Sequence, residues 1–291
     1  MFNKNLRYYR LKNNMTKEEL GDMVNVSSMD ISHYENGDIR PNMNIIKKLA
    51  SALNIKVIDF LKERNDNLIF VHGEFPNNSK VPKNEQEYIR ESVEEYLNRF
   101  FIVVEILGGE ILPDAPECHK LELSGDVEKD ALAMSKYIGI AEFESVSNLV
   151  EILENKGILV HFLDIDNDDF CGINGLVNGR PFIAINANMS PERIRSTIVN
   201  EMTHFIFIWD ENIEVDIVEK TVKAIGDAFL RVCRKNEVFG NENEEPMLFP
   251  KLVFRAVCED KISIQRGAEL LNRTFSYVSE HCFAKDNSFI I

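Results

Sequence analysis

Residues 16–37 read TKEELGDMVNVSSMDISHYENG, and their punctuation sets the architecture of the N-terminal part of the chain. Thr16 is a good N-cap and Glu19 is the acid three residues later, which together make a capping box for a helix. A second short helix follows from Val26 and is closed by Asn36-Gly37. Working outward, Arg40-Pro41 leads into an apolar-periodic helix, Met43 to Leu53. Residues 2–61 as a whole give five short helical patterns that end near Phe60-Leu61. Short helices joined by turns of three or four residues are the helix-turn-helix arrangement.

An ordered set of landmarks sharpens this reading: Leu20, Val26 before a serine cap, Ile31, the Tyr34-Glu35-Asn36-Gly37 turn, Arg40-Pro41, and Leu49-Ala50 with Leu53. With these, residues 1–64 closely resemble an XRE-type DNA-binding domain of the lambda-repressor-like fold. The resemblance implies that the helix starting near Ser27 lies in the major groove, with its first side chains at base edges. Ser28, Met29, Ser32 and His33 are the candidates for that face, because Ile31 and Tyr34 read as its buried side. Ser32 can donate or accept, Met29 can touch a thymine methyl, and His33 can meet a base or a phosphate. Lys17, Asn36 and Arg40 are placed for phosphates, where they fix register without reading sequence. Many relatives carry Gln at position 17, so Lys17 suggests a charge contact in place of a shaped hydrogen bond.

A second informative stretch is SPERIRSTIVNEMTHFIFIW, residues 190–209. It opens with Ser190 as N-cap, Pro191 at the first helical position and Glu192 in the first turn. Within the helix, Asn200-Glu201-x-x-His204 has the layout of a zinc-protease motif with one ligand replaced. His-Glu-x-x-His works because residues four apart share a helix face, so two imidazoles meet one ion while the Glu reaches the metal-bound water. Asn200 offers at most a neutral amide oxygen, a poor ligand for zinc. Glu219, at the start of a further helical pattern running to Val232, is an apparent additional ligand. Upstream, GILVHF from Gly157 and GRPFIAIN from Gly179 read as strands.

The segment from about Val127 to Val232 resembles the ImmA/IrrE family of metallopeptidase-like proteins. Its matching pieces are NKGILVHFLDI, GRPFIAINANMSPERIRSTIVNEMTH and EKTVKAIGDAFLRV. The resemblance implies that His204 and Glu219 are metal ligands, that Glu201 is the catalytic base, and that the pattern fails at Asn200. Two further departures are Ile208, where many members have a His, and Val222-Lys223-Ala224-Ile225-Gly226, where Ala-Asn-x-Phe-Ala is usual. Zinc is the one cofactor such a set could hold. With Asn200 in place, its affinity is expected to be weakened or lost, so no bound cofactor is expected.

Charge divides the chain in the same way. Residues 1–64 contain eleven Lys/Arg and eight Asp/Glu, net +3, whereas the remaining 227 contain 22 basic and 40 acidic residues, net −18. An acidic body is repelled by DNA, so binding is expected to be confined to the basic module and to be salt-sensitive. With 291 residues and 44% hydrophobic content, the chain can bury a large core beside that module. It has no apolar run long enough to span a bilayer and no signal peptide, which gives the expectation of a cytoplasmic protein with no membrane partner. Cys118, Cys171, Cys233, Cys258 and Cys282 form no C-x-x-C pair and read as reduced thiols. Cys171 and Cys233 lie where a thiol ligand or a redox role at the site is conceivable.

Asn65 to Asn84 breaks helical periodicity and reads as a linker. A charged helix, Glu85 to Leu107, follows, with Tyr88, Val93, Leu97, Phe100, Phe101 and Val104 as its apolar stripe. Such a stripe is usually core, with a dimer-forming helix as the alternative. Leu112 to Ser124 reads as an irregular or β segment, and Val127 to Ile138 and Val146 to Lys156 read as helices. Three more helices, Met247 to Glu259, Ile264 to Asn272 and Tyr277 to Cys282, complete the chain. The phrase KLVFRAVCEDKISIQRGAELLN resembles the helical end often found on ImmA/IrrE proteins. It also carries a faint helix-turn-helix rhythm, although the acidic setting argues against DNA contact there.

The expected fold is α+β. A five-helix DNA-binding domain at 1–64 is joined by a linker at 65–84 to a mostly helical, metallopeptidase-like domain with a small sheet at 85–291. The expected function is a sequence-specific transcription repressor that binds a palindromic double-stranded operator as a homodimer. Its body would receive an inducing protein or small ligand. The alternative is a zinc endopeptidase that cleaves a regulatory protein.

Overall fold

The computed structural model describes residues 1–73, 75, 79–140, 149–210, 212–234 and 244–283. Among them are twelve α-helices and a four-stranded sheet, an α+β fold. The chain divides into two compact units, Met1–Asn67 with Ser79–Arg99, and Leu68–Asn78 with Phe100–Ile291. The interval read as a linker, 65–84, thus contains a strand, β1 (Phe70–His72), and the start of α5 (Lys83–Ile106). The stripe on α5 is core: Val93, Leu97, Phe100 and Val104 are buried within the single chain.

The first unit starts with α1 (Phe2–Lys12), α2 (Lys17–Val24), α3 (Ser28–Asn36) and α4 (Met43–Ala52). The last expected helical pattern is a 3-10 turn, Val57–Leu61. Leu6, Leu20, Val24, Ile31, Leu49, Leu53 and Phe60 form its core. Capping boxes at Thr16–Glu19 and Ser27–Asp30 start α2 and α3. Asn25 and Gly37 stop these helices in the left-handed region, at φ 59° and 84°.

In the second unit, the sheet order is β1-β3-β4-β2, with β2 (Leu159–Leu163), β3 (Gly172–Val177) and β4 (Arg180–Asn186). β3 pairs antiparallel with both β1 and β4, while β2 runs parallel to β4. The β3–β4 hairpin turns through Asn178-Gly179, both at positive φ, as a two-residue hairpin requires. β3 went unread because its two glycines and one asparagine depress β propensity. Gly175 is needed there: a Cβ would lie 2.5 Å from the Phe182 ring and 2.5 Å from the Val71 carbonyl oxygen of β1.

Helices α6 (Val127–Tyr137), α7 (Leu149–Asn155), α8 (Pro191–Ile206) and α9 (Val215–Arg234) share one apolar core with β2 and β4, centred on Met134, Leu153, Ile183, Ile198, Met202, Ile225 and Phe229. Val146 to Asn148, read as the start of α7, lie outside the described residues. α9 begins one turn earlier than Glu219. The segment read as irregular or β runs beside the end of α8, where Leu121 forms a parallel bridge with Phe207 and Ile208 N–H donates to the Leu121 carbonyl at 2.8 Å. Three C-terminal helices, α10 (Leu248–Cys258), α11 (Ile264–Leu271) and α12 (Phe275–Phe283), close on Phe254, Val257, Ala268 and Val278. No described helix is long and apolar enough to cross a membrane.

Candidate functional site

In the first unit, the α2–turn–α3 element is built by local rules. Gly21 of α2 lies directly under the turn, where a Cβ would come within 2.8 Å of the Val26 carbonyl oxygen. Ser27 then caps α3, donating through its backbone N–H and hydroxyl to the Asp30 carboxylate at 2.9 and 2.7 Å, and these bonds hold the Asp30 pKa below its ordinary value. α3 anchors through Ile31 and Tyr34, and through Glu35, which accepts from Arg10 Nε at 2.5 Å and Nη2 at 3.0 Å. Arg10 also donates to the Met15 carbonyl at 2.7 Å, so one guanidinium joins α1, the α1–α2 turn and α3.

The opposite face of α3 carries the expected base-reading side chains. Ser28 and Met29 are exposed, and Met29 presents 65% of its surface. Ser32 and His33 are half-buried, and each already has a partner. Lys17 Nζ donates to Ser32 Oγ at 3.1 Å and stands 4.0 Å from the Glu35 carboxylate, and His33 Nδ1 lies 3.1 Å from Asp38. Lys17 therefore ties the start of α2 to α3. Asn36 and Arg40 are exposed just beyond α3. The sequence reading passed over Lys47 and Lys48, an exposed pair on α4. Lys48 Nζ reaches the Val24 carbonyl at 3.4 Å, a cation at the C-terminal end of α2. Two adjacent lysines in an apolar-periodic helix were the available signal.

In the second unit, the structure brings together part of the expected metal set. His204 Nε2 is 3.5 Å from Glu219 Oε1, joining α8 to α9. Trp209 Nε1 donates to the His204 carbonyl at 3.0 Å and so fixes the end of the helix. Glu201 accepts from Asn174 Nδ2 of β3 at 2.7 Å. Burial pushes the Glu201 carboxyl above the ordinary glutamate range, against the opposing pull of His204 and of the Asn174 bond. Asn200 points elsewhere: a Cβ on Gly226 of α9 would lie 2.5 Å from its Oδ1. Gly226 is two helical turns beyond Glu219, about 10 Å along α9. Among the described residues, no three His, Cys, Asp or Glu side chains converge as a metal site. With an amide at 200, His204 and Glu219 remain as a pair of donors, one fewer than the three protein ligands of a catalytic zinc. Of the two thiols considered for this site, Cys171 accepts from Arg193 Nη2 at 3.1 Å, and the side chain of Cys233 lies outside the described residues.

Residues 6–60 match the helix-turn-helix family. This N-terminal stretch is thus an XRE-type helix-turn-helix, the DNA-binding module of transcription regulators, and double-stranded DNA is its ligand class. No curated protein matches the chain, and no solved structure does.

Proposed function

We propose that the chain is a sequence-specific transcription repressor. It occupies a palindromic operator as a homodimer and is released when its second unit receives a protein or small-molecule signal. The observation that carries this reading is the α2–α3 element within residues 6–60, with its apolar side locked by Ile31, Tyr34 and Glu35 and its outer side offering Ser28, Met29, Asn36 and Arg40. On this reading, Ser28, Met29, Ser32 and His33 meet base edges, while Arg40, Asn36 and Lys17 meet phosphates. Lys17 first has to leave Ser32. Dimerisation and signal reception fall to the second unit, because 40 acidic against 22 basic residues beyond position 64 oppose a duplex lying along it.

The test is binding of the purified chain to duplexes tiled across its own upstream region, at several salt concentrations. Specific repression requires one duplex to be preferred by roughly a thousandfold or more over the others. Met29→Ala should reduce that preference, while Arg40→Ala should weaken all duplexes alike and lower the salt slope by about 1. Equal affinity for every tile would defeat the proposal.

The second reading, a zinc endopeptidase of ImmA/IrrE type, draws on the approach of His204 to Glu219 and on the buried carboxyl of Glu201. It is disfavoured by the donor set, since Asn200 is an amide directed at Gly226. We read the second unit as a scaffold of that kind kept for binding.

A further inference from the structure

The last two helices repeat the geometry of α2 and α3. α2 has eight residues and α3 has nine, and α11 and α12 have eight and nine. Thr16 and Ser263 cap the first helix of each pair, accepting from the backbone N–H three residues on, at 3.1 Å in both cases. An asparagine in the left-handed region ends the first helix: Asn25 at φ 59°, ψ 51° and Asn272 at φ 52°, ψ 42°. One residue intervenes, and then a hydroxyl caps the second helix: Ser27 accepts from Asp30 N–H at 3.1 Å and Thr274 from Tyr277 N–H at 3.2 Å. The small residue four before the asparagine is Gly21 in one pair and Ala268 in the other. The residue six after it is Ile31 or Val278, both fully buried.

Charge gives a separate indication. Between residues 65 and 247 the chain carries 35 acidic and 16 basic residues, whereas 248–283 carries four acidic and five basic. The acidic character of the body therefore stops where this second element begins. The expectation that the setting excludes DNA contact averaged over residues that do not belong to the element.

We propose that α10–α12 is a second helix-turn-helix, with duplex DNA as its ligand. Phe275, Ser276, Ser279 and Glu280 hold the positions of Ser28, Met29, Ser32 and His33. Phe275 presents 51% of its surface, and Ser276 and Glu280 are exposed. Their chemistry suits base edges: an aromatic ring for a thymine methyl, hydroxyls for either donors or acceptors, and a carboxylate for the cytosine amino group. Arg273, in the turn with its guanidinium 5.7 Å from the Tyr277 ring centre, and Lys261, before the α11 cap, are placed for phosphates. The inference takes the α2–α3 element as its template, and its test reads the two elements separately.

The test places the photocrosslinker p-benzoylphenylalanine at Phe275, and separately at Met29, in the full chain. Each protein is irradiated with a random-sequence duplex pool at low salt, where binding is independent of sequence. DNA adducts from position 275 are expected, and Arg273→Ala should lower the salt slope of the full chain by about 1. Adducts from position 29 alone, with the slope unchanged in Arg273→Ala, overturn this inference and leave the N-terminal reading standing. Adducts from 275 alone keep it and remove the N-terminal one. A protein–protein adduct from 275 without DNA adducts shows that the face docks on a polypeptide and overturns it.

Discussion

Two helix pairs in this molecule meet through a glycine and hold a carboxylate, and they do so by different means. At α2–α3 the glycine faces backbone, Gly21 against the Val26 carbonyl, and the carboxylate of Glu35 is held by a forked guanidinium. At α8–α9 the glycine faces an amide side chain, Gly226 against Asn200 Oδ1, and Glu201 is held by another amide, Asn174. Backbone and ion pair leave the first pair one arrangement. Amides can rotate, so the second pair tolerates change at positions 200 and 226.

The largest expected effect is on the ion pair. Arg10→Met leaves the buried Glu35 with only Lys17, 4.0 Å away, and should destabilise the first unit by about 3 kcal/mol in chemical denaturation. Arg10→Met combined with Glu35→Leu should recover most of that loss, and a double variant as weak as the single one would show that the pair does more than compensate charge. Next, Gly21→Ala should cost about 1–3 kcal/mol, because the backbone it meets cannot yield.

A smaller effect comes from Glu154, a buried carboxylate whose hydrogen bonds come from the backbone N–H groups of Met247 and Leu248 at 3.2 and 3.0 Å. Burial raises its pKa to about 7 from 4.5. A folded value above the unfolded one means that the folded state binds the proton more tightly. The stability this group contributes is therefore present below about pH 4.5 and lost as pH rises through about 7. The melting temperature of the second unit should fall across that window, and Glu154→Gln should flatten the fall. An unchanged slope would remove Glu154 as its source.

Gly226→Ala should change stability by less than about 1 kcal/mol, since rotation of Asn200 relieves the contact while alanine gains helix propensity. A cost equal to that of Gly21→Ala would break the comparison. Last, Asn200→His should leave zinc at background in elemental analysis, because the side chain at 200 is directed at Gly226, two turns along α9 from Glu219. Stoichiometric zinc would show that the amide alone had closed the site.

The contrast also explains what could be read from sequence. Caps and glycine stops act within a few residues, so α1–α4, α8 and the turn between α2 and α3 were legible. β3 was not, because Gly175 is explained only by Phe182, seven residues further on, and by Val71 of a different strand. His204 and Glu219 lie 3.5 Å apart because the gap between their helices is short. The pairing of Arg10 with Glu35, the Lys17–Ser32 bond and the direction of Asn200 depend on side-chain meetings that no local spacing encodes.

The way the chain is shared between the two units bears on its synthesis. The chain leaves the first unit after Asn67, gives β1 to the sheet of the second, returns at Ser79 and departs again after Arg99. On a ribosome, the first unit therefore cannot be completed when its helix-turn-helix has emerged. It waits for Arg99, and β1, once made, waits roughly a hundred residues for β3, about 5–20 s at ordinary translation rates. For that interval a nascent chain already able to close around Leu6 and Ile31 carries an unpaired strand in its middle. Cutting at residue 64 would split the first unit and cutting at 84 would split both, so the two are inherited, and must be dissected, as interleaved pieces of one chain.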